Sequence, residues 1–110
     1  MAEIVPKLLY IGNSVASNVY TVSSNVGSYS IVRTVNVCNT ASVDKTCSLN
    51  IVPASGSAGA NNRILSNILI PGNDVLVSDT VIVLNAGDSV YFDPADSNLT
   101  LTLSGVEYSA

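Results

Sequence analysis

The sequence predicts an all-β domain, an antiparallel β-sandwich of about seven to nine strands. Three observations lead there. The run Asn98-Leu99-Thr100-Leu101-Thr102-Leu103-Ser104 alternates polar and apolar residues without a fault, as a strand with one buried face does. Turn signals recur about every ten residues, the spacing of a sandwich. No window sustains a 3.6-residue period, and β-branched residues crowd every candidate helix. Periodicity leaves the topology open between Ig-like and jelly-roll.

The first 15 residues read as an N-terminal arm or an edge strand, ahead of a sandwich domain over residues 16–110. Ile4-Val5 and Lys7-Leu8-Leu9-Tyr10-Ile11 favour an extended chain, and Pro6 lacks the N–H that a central strand needs. Gly12-Asn13-Ser14 ends this segment. Residues 18–23 make a short strand, with Val19 and Thr21 facing one way and Tyr20 and Val22 the other. Past the turn Asn25-Val26-Gly27, residues 28–39 make a longer strand with Ile31, Val35 and Val37 on one face. Residues 40–45 read as a polar hairpin loop, and the chain returns through residues 46–53 with Leu49 and Ile51 on one side.

Residues 54–62 are small, without period, and the most flexible-looking part of the chain. They read as a loop inside one domain, because ~50 residues on each side are too few for two comfortable cores. Residues 63–70 form a strand. Pro71-Gly72-Asn73-Asp74 is a tight turn, with Pro before Gly as a type II turn wants. Residues 75–84 are one long strand or two short ones parted near Ser78-Asp79. A turn at Asn85-Ala86-Gly87-Asp88, a strand over 89–92, a turn at Asp93-Pro94-Ala95-Asp96 and a last strand over 98–108 complete the chain.

Composition narrows the function. A chain of 110 residues suits one two-layer core without a metal or a disulfide. Charged residues are only 11%, and Ser, Thr and Asn fill the polar positions, so the surface is neutral and hydrogen-bonding. The net charge of −4 with four Lys and Arg argues against nucleic-acid binding. No segment approaches the ~18 apolar residues of a membrane span. The N-terminal residues have neither the basic nor the apolar region of a secretory signal, so synthesis and assembly in a cytoplasm are expected.

Chemistry is hard to place. The chain has no histidine, which removes histidine triads and the commonest general base. Gly56-Ser57-Ala58-Gly59 has glycines but no lysine and no following helix, so it reads as a plain loop rather than a phosphate cradle. Asp88, Asp93, Asp96 and Asn98 offer oxygen ligands, yet their spacing matches no EF-hand loop and they are ordinary turn residues. Few aromatic side chains are available as sugar platforms. The expectation is a non-enzyme with no cofactor and no metal. If residues 39–46 form a hairpin, Cys38 and Cys47 lie opposite each other and a cross-strand disulfide is conceivable; a reducing cytoplasm favours two free thiols.

The apolar run Leu8-Leu9-Tyr10-Ile11 is unfavourable in water, so these four residues are candidate interface residues. The run either adds a strand to a neighbour's sheet edge or serves as the first strand of its own sandwich. Tyr108, near the other end, joins the candidate interface with its apolar body and polar tip.

Several phrases recur in a recognisable order. They are Val19-Tyr20-Thr21-Val22, Val35-Asn36-Val37-Cys38-Asn39-Thr40, Leu49-Asn50-Ile51-Val52-Pro53 and Ile70-Pro71-Gly72-Asn73-Asp74. Ile82-Val83-Leu84-Asn85-Ala86-Gly87-Asp88, Val90-Tyr91 and Ser104-Gly105-Val106-Glu107 come after them. The set resembles small virion structural proteins of tailed bacteriophages over residues 18–107; residues 1–17 fall outside it. The resemblance implies a β-sandwich carried on the virion and no catalytic residues. The leading expectation is a capsid decoration (cement) protein that touches the major capsid protein, as a homo-oligomer, dimer or trimer. The alternative is a tail, neck or fibre component, including a host-surface or glycan-binding module.

Overall fold

The computed structural model of the protein describes residues 4–13, 17–79, 81–94 and 98–110. Nine strands lie among the described residues: β1 (Ile4–Gly12), β2 (Ser17–Thr21), β3 (Tyr29–Asn39), β4 (Lys45–Val52), β5 (Arg63–Ile70), β6 (Val75–Ser78), β7 (Ile82–Asn85), β8 (Ser89–Pro94) and β9 (Leu99–Tyr108). They form two antiparallel sheets, as expected. One has the order β1-β9-β3-β6, with β7 also on β3. The other has the order β2-β8-β4-β5.

This order is that of a jelly roll. β6 pairs with residues 35–38 of β3 and β7 with residues 29–32, so the two lie end to end along one edge as halves of an interrupted strand. Counted as one, they leave eight strands, and the chain changes sheet at every connection except β4 to β5. The alternative of two short strands over 75–84 is the one realised. Of the two readings of the N-terminal segment, β1 is an edge strand that pairs with β9 alone. An edge also explains why Pro6 is tolerated.

The core lies between the sheets. Leu99, Leu101 and Leu103 of β9 are fully buried and face Phe92, Val90 and Leu49 of the other sheet within one cluster. The predicted alternation of β9 is therefore correct. Gly105 allows β9 to come close to β3, since a Cβ there would collide with the Ile31 carbonyl.

Several expectations fail at β-bulges, where an extra residue reverses the facing of the strand beyond it. β3 shifts register between Val32 and Thr34, so Val32, Val35 and Val37 point inward while Ile31 pairs with Val106 and Val83 on the outside. β2 shifts between Asn18 and Tyr20, so Val19 and Tyr20 both reach the core rather than opposite faces.

Residues 40–44 are not a hairpin loop: they carry the chain from β3 in one sheet to β4 in the other. Cys38 is consequently half-buried on the five-stranded sheet, Cys47 is buried in the core, and both are free thiols. The conceivable disulfide needed a hairpin that does not exist. The turn at 71–74 forms where it is expected, but its left-handed position differs. Asp74 N–H donates to Pro71 O (3.1 Å), and Asn73, not Gly72, takes the positive φ of 58°. Gly72 serves a close approach instead, since a Cβ there would strike the Ser42 backbone.

Buried Asn39 ties these connections together. Its Nδ2 donates to Val43 O (3.0 Å) and Ile70 O (2.9 Å), and its Oδ1 accepts from Ala41 N–H (2.9 Å). Asn39→Ala would leave those backbone groups without their partner. The expected loss is about 2–4 kcal/mol of unfolding free energy in urea titration, comparable to Leu101→Ala in the core. A loss under ~0.5 kcal/mol would show that the amide is dispensable.

Candidate functional site

The two outer faces of the sandwich differ. On the four-stranded sheet polar groups of β4 are partly covered, and exposed Ile64 and Leu69 lie on the edge strand β5. Asn50 of β4 donates from Nδ2 to Gly59 O (2.8 Å) and Asn62 Oδ1 (2.7 Å), which fastens the 54–62 segment over the sheet. That segment contains a 3-10 turn at Ala60–Asn62, where a plain flexible loop was expected. Ser48 exchanges hydrogen bonds with Asn67 beside it.

The outer face of the five-stranded sheet is apolar along both flanks and open. One flank is β1, where Leu8 is 52% and Ile11 61% exposed. Strict alternation would put residues 8 and 11 on opposite faces. A bulge at Leu9 puts both outside: Leu8 pairs with Ser104, Tyr10 with Leu103 and Ile11 with Thr102. The other flank is β6 and β7, with exposed Val75, Val77 and Val83, and exposed Val81 just ahead of β7. Between them run mostly small polar residues of β9 and β3, paired as Thr102 with Asn36, Ser104 with Thr34 and Thr100 with Cys38, together with the Ile31–Val106 pair and exposed Arg33 at the β3 bulge. At one end Tyr29 and Tyr108 stack at 5.1 Å and 18°.

The candidate interface residues thus separate. Leu8 and Ile11 lie exposed on this face. Leu9 and Tyr10 turn inward and pack against the core. Tyr108 is half-buried against Tyr29. Val75, Val77, Val81 and Val83 were not singled out from the sequence. A signal for them exists in Val75-Leu76-Val77 and Val81-Ile82-Val83-Leu84, which are apolar on both faces. A strand with one wet face alternates instead, so such a run marks a strand covered on both sides.

A hydrogen-bond chain anchors β1. Ser30 Oγ and Tyr20 OH lie 2.6 Å apart, and Tyr20 O–H donates to Glu107 Oε2 (2.6 Å). With its own proton so engaged, Tyr20 accepts from Ser30. Lys7 Nζ donates to Glu107 Oε1 (3.0 Å). The Tyr20 and Lys7 donors hold the Glu107 carboxyl below the usual carboxylate range. Burial, with help from the Glu107 hydrogen bond, pushes Tyr20 up to about 12. Burial also pushes the Cys47 thiol up to about 11, which makes it a poor nucleophile.

The remaining candidates are structural. Asp88, one of the possible oxygen ligands, accepts from Ala54 N–H (3.0 Å) and Asn85 N–H (2.9 Å) and so braces a turn. Asp93 is exposed, and Asp96 lies outside the described residues. Among the described residues no three His, Cys, Asp or Glu side chains group as a metal site. A small apolar cleft of about 80 Å³ opens between β5 and the β6–β7 edge, lined by Ile64, Leu65, Ser78 and Ile82 over Val35 and Leu49. Its lining offers one hydroxyl and no charged group. Comparison with protein-family models, curated proteins and solved structures finds no match.

The Glu107 cluster sets a pH dependence. Its folded value is lowered, so its contribution is complete above the ordinary carboxylate range and fades as pH falls through the lowered value. Glu107→Gln should lose about 1 kcal/mol near pH 7, a modest figure because solvent reaches the site. The gap to the parent protein should close in acid. Urea titrations at a series of pH values measure this; a gap constant down to pH ~2 would remove Glu107 as its source.

Proposed function

We propose that this chain is a non-enzymatic structural protein of a tailed-bacteriophage virion, a capsid decoration protein that reinforces the shell by contact with the major capsid protein. The observation that carries the packing role is the apolar outer face of the five-stranded sheet, open in the isolated chain. Exposed apolar surface of that extent marks a contact surface. The virion setting rests on the ordered phrases over residues 18–107 and their resemblance to phage structural proteins. The strand order adds support, because jelly rolls recur in viral capsid domains. A fold alone does not assign a function, and jelly rolls also occur in lectins. The contact face favours packing over sugar binding: its flanks are aliphatic, and its two aromatic rings stack on each other rather than forming an open platform.

The mechanism is burial of surface. Small hydroxyl and amide side chains between two aliphatic flanks provide hydrogen bonds and apolar area together, as interfaces do. Quantitative mass spectrometry of purified particles of the phage that encodes this sequence is the test. A copy number comparable to that of the major capsid protein is expected. A few copies per particle would replace decoration with a neck, tail or fibre position. Absence from the particle would overturn the virion reading.

A further inference from the structure

We infer that the outer face of the five-stranded sheet is the interface of a two-fold dimer of this chain, with the axis running along the strands between β9 and β3. The inference rests on the proposal that the protein works by packing; it gives this face to a second copy, so that contact with the major capsid protein falls to the surface the dimer leaves open.

The pattern of the face points to a second copy. Across the sheet the columns run β1, β9, β3 and β6–β7. The outer columns are aliphatic; the inner two are mostly small and polar, with Ile31 and Val106 toward one end and exposed Arg33 at the β3 bulge. A two-fold along the strands keeps each row level and exchanges left and right. It lays β6–β7 over the partner copy's β1 and β3 over its β9. In the row Ile11-Thr102-Asn36-Val77, Val77 meets Ile11 of the other copy, and Asn36 meets Thr102. In the row Pro6-Val106-Ile31-Val83, Val83 meets Pro6 and Ile31 meets Val106. These two rows are thus complementary to themselves, which an isologous contact requires.

The area is sufficient. Four columns at about 4.8 Å and ten residues at about 3.3 Å give a flat footprint of roughly 600 Å² per copy. Two copies bury roughly 1,200 Å² before side-chain relief is added, which reaches the range of stable interfaces. Facing sheets pack ~10 Å apart, which leaves room for these side chains. The apolar runs of β6 and β7, which no internal layer covers on their outer side, receive their second cover from the partner.

Sedimentation velocity on the full chain over a concentration series tests the dimer. A concentration-dependent dimer is expected. Val77→Lys should weaken it roughly tenfold or more, while Leu69→Lys, on exposed β5 of the other sheet, should leave it unchanged. Circular dichroism and thermal melting establish that both variants fold.

Cross-linking reads the register. In a Cys38→Ser background, Ile11→Cys and Val77→Cys lie three strand spacings apart within one chain, about 14 Å and too far to bridge. Cys47 remains, buried in the core, so a short bismaleimide should link a mixture of the two variants efficiently through the introduced cysteines and either variant alone poorly. A monomer at every concentration overturns the dimer, as does a dimer indifferent to Val77→Lys. Equal linking of each variant with itself overturns the stated axis. None of these outcomes alters the count of copies on particles, so the dimer and the virion reading fail separately.

Discussion

The architecture depends on one buried amide. Asn39 sits at the end of β3, where the chain leaves one sheet for the other, and its side chain holds that crossing against the end of β5. Two sheet changes, β3 to β4 and β5 to β6, are locked together at this point. The same corner carries backbone bonds from Asn39 N–H to Asp74 O (2.9 Å) and from Asn73 N–H to Ala41 O (2.8 Å), so the amide and these bonds together set β6 beside β3 and fix the β6–β7 flank of the outer face. A polar group buried in this way is costly unless fully partnered, so its partnering also specifies which connections may meet.

The bulges are the second device. Alternation alone gives every strand a clean inside and outside. The extra residues at Leu9 and near Arg33 rotate the chain partway along β1 and β3. The result is a surface whose apolar residues line up across strands rather than scatter. The Lys7–Glu107–Tyr20–Ser30 chain then ties the bulged edge strand to the rest of the sandwich. Edge, bulge and hydrogen-bond chain act together on one end of the five-stranded sheet.

Much of this was legible in the sequence, and the gaps have physical causes. Leu99, Leu101 and Leu103 announced their burial because β9 is central and regular at that end. Residues 63–70 were bounded correctly because a loop and a Pro-Gly turn flank them. The facing of Ile31 and Val19 was not legible, because a bulge is set by the partner strand and leaves no local signature. The link between Cys38 and Cys47 was not legible either, because a polar connector looks the same whether it closes a hairpin or changes sheets. Leu8 and Ile11 stood out as apolar residues near an end, but only the bulge at Leu9 shows that they share a face. Val75, Val77 and Val83, with Val81 just ahead of β7, read as ordinary strand residues from the sequence, and only their shared exposure sets them apart.

The position of β9 has a kinetic consequence. It lies between β1 and β3, so the five-stranded sheet is held together by the last strand in the chain. Lys7 finds Glu107 one hundred residues away. During synthesis β1 and β3 emerge early and must wait for their shared neighbour with their apolar faces uncovered. Topologies dominated by such distant pairings fold slowly and expose sticky intermediates. The sparse charge that suits a packed surface gives those intermediates little mutual repulsion, so yield in the cell will depend on how quickly the C-terminal strand follows the rest of the chain.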